Sequence, residues 1–296
     1  MPPSRLALPC ILLLVVAAAC RTAEGDVAGG IPASSASLSQ ELTEEFPRGS
    51  FADPTTIDNP WLPLVPGTQW VWEGLTVADG ESVPHRVVFV VTDLTKVIDG
   101  VKAVVGYDQD YSDGVLVEAE IVFLAQDDEG AVWHMGQYPE EYENGEFVAA
   151  PGWIAGVHDA KAGYWMTADP QFGKPSYSQG WGPEVEWTDR GQVREVGLDD
   201  CVPVDCYTDV LVIEEWALDE PEARQLKYYA RGVGNIRVGW SGSEEQDQET
   251  LELVEFRQLN EAELEQARAA VMALEKRAYE ILPEVYGGTE PIEQAA

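Results

Sequence analysis

TTIDNPWLPLVPGTQWVWEG, residues Thr55 to Gly74, is the stretch on which the reading of the chain turns. Pro60, Pro63 and Pro66 lie within it and Pro54 just before it. Proline fixes φ and has no N–H to donate, so residues 59–66 can be neither helix nor central strand. They read as an extended segment laid over a sheet, with Trp61, Leu62, Leu64 and Val65 turned inward. Pro66-Gly67 is a turn signal, and residues 68–77, carrying Trp70 and Trp72, read as the first strand of a folded domain. The chain before this stretch has the character of a delivery leader, and the chain after it that of a sheet.

Upstream, Arg5 is followed by an apolar run from Leu6 to Ala19, too short for a transmembrane span and suited to a signal-peptide core. Residues 1–19 are therefore expected to be a signal peptide. The run ends Ala17-Ala18-Ala19-Cys20, similar to the bacterial lipoprotein signal, in which Cys20 becomes the lipidated first residue. Ala17 stands where Leu is commoner, and an ordinary cleaved signal with an incidental cysteine is the alternative. Two or more acyl chains, at about 0.8 kcal/mol per buried methylene, make a stable anchor. Residues 20–50 then supply the lipid anchor and an Ala/Ser/Gly-rich linker.

Downstream, residues 86–97, 101–111, 115–125, 131–137 and 141–149 are β-branched or alternating runs. Asp99-Gly100, Asp113-Gly114, Gly130 and Asn144-Gly145 separate them, which is the signature of consecutive hairpins. Residues 151–183 are loop-rich and concentrate aromatic side chains. Further strands come at 185–196, 206–216, 224–230, 235–240 and 250–259. Asn260 with Glu263 forms a helix-start signal, and Leu264, Ala267, Val271, Leu274, Ala278 and Ile281 make one apolar stripe ended by Pro283. The fold expected is mostly β: a curved antiparallel sheet or open, barrel-like meander of roughly ten strands. It occupies residues 51–259, with one C-terminal helix (260–283) packed on it and a disordered tail (284–296).

The 296 residues carry 53 acidic against 18 basic side chains, a net charge of −35. No Lys/Arg cluster suits nucleic acid, so a nucleic-acid partner is excluded. An acidic shell favours solubility and repels anionic headgroups. Cys201 and Cys206, in Cys-Val-Pro-Val-Asp-Cys, are expected to form a local disulfide in an exported chain. A redox pair or half a zinc site fits that spacing poorly.

The other constellations are weak. Asp108 to Gly114 resembles the start of a calcium loop, but Asp113 stands where the sharp-turn glycine belongs, so a hairpin end is the better reading. His85, His134 and His158 have no metal-ligand spacing, and no metal site or cofactor is expected. Gly239-Trp240-Ser241-Gly242-Ser243 misses the last glycine of a nucleophile elbow, and Gly232-Val233-Gly234 lacks the third glycine of a dinucleotide fingerprint. The best candidate for ligand contact is the aromatic group Trp153, Tyr164, Trp165, Tyr177, Trp181 and Trp187, whose faces can stack on a sugar or line an apolar cavity. Filling the core and rim of a β domain is the competing role for the same residues.

Two patterns carry a resemblance. Asn-Pro-aromatic-x-Pro-Leu-x-Pro-Gly-Thr-x-Trp-Val-aromatic-Glu-Gly opens the domain, and Tyr228-Tyr229-Ala230-Arg231-Gly232-Val233-Gly234 closes it. Together they resemble a family of uncharacterised bacterial secreted proteins and lipoproteins over residues 51–256. The resemblance implies a compartment and a style of fold, and no reaction. The functional expectation is a lipid-anchored, extracytoplasmic, monomeric protein of the bacterial envelope, a non-enzymatic module for binding a lipid or carbohydrate ligand or for envelope interaction. The alternative is an extracytoplasmic carbohydrate-active hydrolase using a carboxylate pair near the aromatic region.

Overall fold

The computed structural model describes residues 42–294 apart from Asp79 and Asp247, so the signal peptide expected over residues 1–19 and the expected lipidation site Cys20 lie outside the described residues. One antiparallel sheet organises the chain. Its long hairpins are β1 (Thr68–Ala78), β2 (Glu81–Ile98), β3 (Val101–Ser112), β4 (Val115–Gln126) and β5 (Val132–Glu143). Short strands β6 (Glu146–Ala149), β7 (Trp153–Ile154), β8 (Gly163–Met166) and β9 (Tyr177–Ser178) come next. The second half is β10 (Arg190–Cys201), β11 (Cys206–Trp216), β12 (Arg224–Ala230), β13 (Gly234–Ser241) and β14 (Gln248–Gln258). Helix α1 (Glu261–Ile281), a single turn α2 (Pro283–Tyr286) and a final strand β15 (Glu293–Gln294) end the chain.

The order across the sheet is β6-β5-β4-β3-β2-β1-β14-β13-β12-β11-β10-β9, so β1 joins the two meanders by pairing with β14. Short strands β7 and β8 add to β5, and β15 adds to β2. The sheet is curved and open, as the hairpin spacing predicts, but it has more strands than the roughly ten expected, because very short ones pair with β2, β5 and β10.

Register irregularities at Val71/Trp72, Val91/Thr95, Phe123/Leu124 and Tyr228/Tyr229 bend the sheet, since an extra residue in one strand of a pair adds local twist. Strand alternation then sorts the side chains. Val101, Ala103, Val105 and Tyr107 of β3, with Ala119, Ile121, Phe123 and Ala125 of β4, build the core under α1. Val104, Val122 and Leu124 face the other way. They meet Val210, Leu211, Ile213 and Tyr229 from the far half of the sheet, so the curl encloses a second core on its concave face. Gly136, at φ +140°, marks where β5 changes face: Trp133 and Met135 point to the helix side before it, and Tyr138 does so after it.

The proline-rich opening forms the floor of the concave face. Ile57, Trp61, Leu62 and Leu64 are buried there with Trp70 and Trp72. Asn59 holds the bend: its Nδ2 donates to Gly130 O (2.8 Å) and Thr167 O (3.2 Å), and its Oδ1 accepts from Trp61 N (2.9 Å). Val65, expected to face inward, is instead exposed.

Asn260 caps α1 in a full capping box with Glu263. Ala267, Val271, Leu274 and Ala278 bury the stripe against the sheet, while Leu264 lies half-buried and Ile281 exposed at its ends. Between those apolar residues sits a buried charge pair: Lys96 Nζ on β2 donates to Glu275 Oε1 of α1 at 2.8 Å. The same ammonium lies over the rings of Tyr279 and Tyr286 and donates to Glu290 O, while Glu275 accepts from Ile292 N. This network orders residues 284–294 of the tail expected to be disordered, and residues 295–296 lie outside the described residues. Tyr286 and Ile292 are apolar anchors, the Lys96–Glu275 pair takes up their backbone, and residues 283–294 fold back onto β2. The linker also ends earlier than residue 50: Phe46 packs on Phe51 and Trp133, and Asp128 N donates to Ser50 O (2.8 Å).

Cys201 and Cys206 are bonded across the β10–β11 turn. With a sequence separation of 5 the loop they close is short, and its entropic contribution is about 2 kcal/mol. The double variant Cys201→Ser/Cys206→Ser should lose no more than that in urea unfolding, and the oxidised protein should label with no thiol reagent at either position. For the helix contact, Lys96→Met should lower stability by about 3–5 kcal/mol because it strands a buried carboxylate. Lys96→Met/Glu275→Leu should recover most of that loss, and a double variant as unstable as the single would refute the ion-pair account.

Candidate functional site

The concave face changes character along its strands. At one end lie the apolar floor residues. Towards Gly80 and the turns at residues 113–114 and 144–145 the inward positions become charged: His85 on β2, Asp108 and Asp110 on β3, Glu118 and Glu120 on β4, Glu141 on β5 and Glu249 on β14. Glu215 on β11, Lys227 on β12 and Asp189 beside β10 join them from the other half. All but His85 are half-buried.

The register places like charges directly opposite one another. Asp108 pairs with Glu120, Asp110 with Glu118, and Glu118 with Glu141. Directly opposed Cβ atoms are about 5 Å apart, a distance at which two carboxylates repel. Their proton affinities rise accordingly. Burial, then the neighbouring Asp110, pushes Asp108 up to about 7. Burial, with Asp108, Asp110 and Glu141, pushes Glu118 up to about 8. Burial and Glu118 hold Glu120 well above the carboxylate range, and one of its oxygens is buried without a partner. Burial and Glu215 bring Asp189 to about 7. Lys227 lowers the proton affinity of Asp108, Asp110, Asp189, Glu215 and Glu249, yet it forms no ion pair within 4 Å among the described residues.

His85 lies 6% exposed, with Nε2 2.7 Å from Asp110 Oδ1 and Nδ1 3.0 Å from Glu249 Oε1 and 2.8 Å from Thr76 Oγ1. The Thr–His–Asp geometry is that of a nucleophile and its base, but the electrostatics are not. Burial alone would push the imidazole down; hydrogen bonds to Asp110 and Glu249 outweigh it and raise the group to about 10. Both ring nitrogens then carry protons and donate to carboxylates, so neither can take a proton from Thr76. The trio ties β2 to β3 and β14. The sequence singles out Asp108 and Asp110 only as a hairpin end, and it gives no signal for His85, because Thr76, Asp110 and Glu249 meet it only through strand pairing.

The aromatic candidates do converge, at a different place. The segment of residues 150–189 bridges the two edges of the curled sheet, β7 and β8 on β5 and β9 on β10. His134 sits at its centre with ring centroids 4.9 Å from Trp153, 4.8 Å from Trp165 and 5.6 Å from Trp187. Burial pushes its pKa down to about 3, so the imidazole is neutral, and its Nδ1 lies 3.1 Å from Gln179 O, to which it donates. Tyr164 stacks on Trp133 at 4.2 Å and meets the edge of Tyr177 at 6.1 Å. Trp181 exchanges backbone hydrogen bonds with Lys161 (2.8 and 2.9 Å). Trp153 and Tyr177 are buried; Tyr164, Trp165, Trp181 and Trp187 are half-buried. Trp165 packs against the concave core. Gly180 is needed where it lies: a Cβ there would come within 2.6 Å of the Trp153 ring. The carboxylate row belongs to β3, β4 and β5 and not to this aromatic segment.

Among the described residues no group of His, Cys, Asp or Glu has metal-holding geometry, and no helix is long and apolar enough to cross a membrane. His158 pairs with Glu184 at the surface (2.6 Å). No family model matches the chain, and no curated protein does. Two crystal structures are similar in outline. One is of a protein classed as exported, with a YmcC-like fold, from Bacteroides fragilis NCTC 9343. The other is of a protein classed as a lipoprotein, from Parabacteroides distasonis ATCC 8503. Each is 13% identical, covering 67% of this chain and 99% of its own, with a TM-score of 0.39.

The titrations fix the sign of the pH dependence. In the unfolded chain Asp108, Glu118 and Asp189 ionise near pH 4, whereas in the fold they ionise near 7, 8 and 7. Their contribution is complete below about pH 4 and is lost as pH rises through those folded values. His85 acts in the same direction, its contribution fading as pH rises through about 10. Asp93, Glu249 and Glu263 are held low by hydrogen bonds to Arg268, His85 and Arg257 and act oppositely, losing stability as pH falls below about 4. The melting temperature should therefore peak near pH 5 and fall towards pH 9, measured by calorimetry. Asp108→Asn/Glu118→Gln should flatten that slope, and a melting temperature that rises with pH in this window would contradict the assignment.

Proposed function

We propose that the protein is an extracytoplasmic binding protein, held at a membrane by a lipid on Cys20, that takes an amine-bearing small molecule into the charged end of its concave face. The observation that carries this reading is the opposition of Asp108 to Glu120, of Asp110 to Glu118 and of Glu118 to Glu141, on a face that water reaches. Opposed like charges cost stability in a sheet, and departures from local consistency of this kind concentrate at functional sites. An ammonium group would neutralise them and replace the protons they otherwise share.

The compartment is supported by the apolar run ending at Cys20, by the Cys201–Cys206 bond, and by the two sequence patterns shared with secreted proteins and lipoproteins. The lipid or carbohydrate ligand expected from the aromatic content has less support, because Trp153 and Tyr177 are consumed in packing. Hydrolysis is disfavoured because His85 is occupied at both nitrogens.

The test uses the Cys20→Ser chain secreted by an exporting host. Native mass spectrometry should show a co-purifying amine or an apo mass that binds added spermidine. Titration calorimetry should find that binding weakened by roughly tenfold or more, about 1.4 kcal/mol, in Asp108→Asn/Glu118→Gln. A co-purifying anionic or neutral ligand, with no spermidine binding, would reject the amine assignment.

A further inference from the structure

The residue from which the chain leaves the described structure is fixed beside a protruding turn. Arg190, the first residue of β10, directs its guanidinium both ways. Nη1 donates to Leu42 O (2.8 Å), while Nε and Nη2 donate to Ser176 Oγ (3.0 Å) and Ser176 O (2.7 Å). Ser176 closes a run of five exposed residues, Gln171 to Pro175. Within it Phe172 is 71% exposed, the most exposed of the large apolar side chains, and Gly173 has nothing within 4 Å of its Cβ position. The turn is nonetheless held: Lys174 O accepts from Gln192 Nε2 at 2.9 Å, and Pro170 and Pro175 stiffen its two sides. In a chain of net charge −35, residues 170–177 carry one charged side chain, Lys174.

We propose that the Gln171–Pro175 turn is a membrane-contact element, with Phe172 entering the interfacial region of the bilayer in which the N-terminal lipid is anchored. The inference rests on the lipid-anchor reading of Cys20. Between Cys20 and Leu42 lie 21 residues, 42 − 20 − 1. An Ala/Ser/Gly-rich chain of that length typically spans about 25 Å. Arg190 delivers the same turn to the point where that tether arrives. A bulky apolar side chain displayed on a braced turn offers apolar area that a lipid interface can bury. The contact is apolar, since anionic headgroups would repel the body of the protein. The carboxylate row lies at the other ends of β2–β5 from the turns at residues 99–100 and 127–130, where Arg48 and Ser50 are tied down.

The mature lipidated protein, from which residues 1–19 with Cys10 have been removed, offers no free thiol once Cys20 carries its lipid and Cys201 and Cys206 are bonded, so single engineered cysteines report uniquely. Lys174→Cys and Val115→Cys are labelled with an environment-sensitive fluorophore. The proteins are reconstituted in vesicles of phosphatidylethanolamine with a minority of phosphatidylglycerol, some of the lipids bearing spin-label quenchers. The label at 174 should be quenched and blue-shifted and that at 115 should not. Adding Phe172→Ser should abolish the difference while the protein still floats with the vesicles. Equal or absent quenching at the two positions, in protein that floats, would overturn the membrane contact and leave the anchor standing. Protein that fails to float in either variant would overturn both.

Discussion

Three hydrogen bonds tie the opening of the domain to the turn between β12 and β13, and the curvature of the sheet depends on them. Gly232 N donates to Pro60 O (2.8 Å), Trp70 Nε1 to Val233 O (2.8 Å) and Trp72 Nε1 to Asn235 O (3.1 Å). Arg231 lies over the Trp61 ring at 3.9 Å. An indole N–H taken into an apolar interior needs an acceptor, and the turn carbonyls are the ones within reach. With the tryptophans so fixed, the concave floor is closed at one end, and Val210, Leu211, Ile213, Val104 and Val122 collapse onto it. The two sequence patterns that mark the chain, with Trp70 and Val233 163 residues apart, are the two sides of this one contact.

The floor uses up the apolar side chains of each strand and leaves the charged ones beyond it. On one face of one strand Val104 gives way to Asp108 and Asp110; on its neighbours Val122 gives way to Glu120 and Glu118, Leu251 to Glu249, and Ile213 to Glu215. A sheet selected for stability alone would alternate signs across such a ladder. His85 offsets two of the carboxylates and Lys227 acts on several at longer range, but Glu118, Glu120 and Glu141 have no cation at hand. The repulsion is relieved by proton uptake, which makes the charge of this face a function of pH and of whatever else binds there.

Much of the architecture is legible in the sequence because it is local. Asp-Gly and Asn-Gly turns at 99–100, 113–114 and 144–145 lie between strands where the hairpin rule puts them, and the Asn260–Glu263 capping box starts the helix. The candidate site is not legible, because it is made by register. Asp110 and Glu118 are ordinary surface residues until pairing sets them side by side, and His85 meets Glu249 only because β1 joins the two meanders through β14. The ordered tail is missed for a related reason: Lys96, Glu275 and Ile292 become one network only when β2 and α1 are in contact. The aromatic concentration is visible, but composition cannot distinguish rings that line a space from rings that fill one.

That distinction bears on how the sheet closes. A full ladder between β5 and β10 would make a barrel of fixed width. Here the edges are instead joined by strands of two to four residues and by side chains, with His134 held neutral among three tryptophans. Such a seam protects both edges from pairing with another chain, which is the hazard of long exposed strands. It also separates two demands on the fold. The floor, pinned by directional hydrogen bonds from Trp70 and Trp72, sets the curvature. The seam closes the edges with ring packing and with backbone hydrogen bonds, Trp181 exchanging two with Lys161 and Gln179 N donating to Asp189 O (2.8 Å).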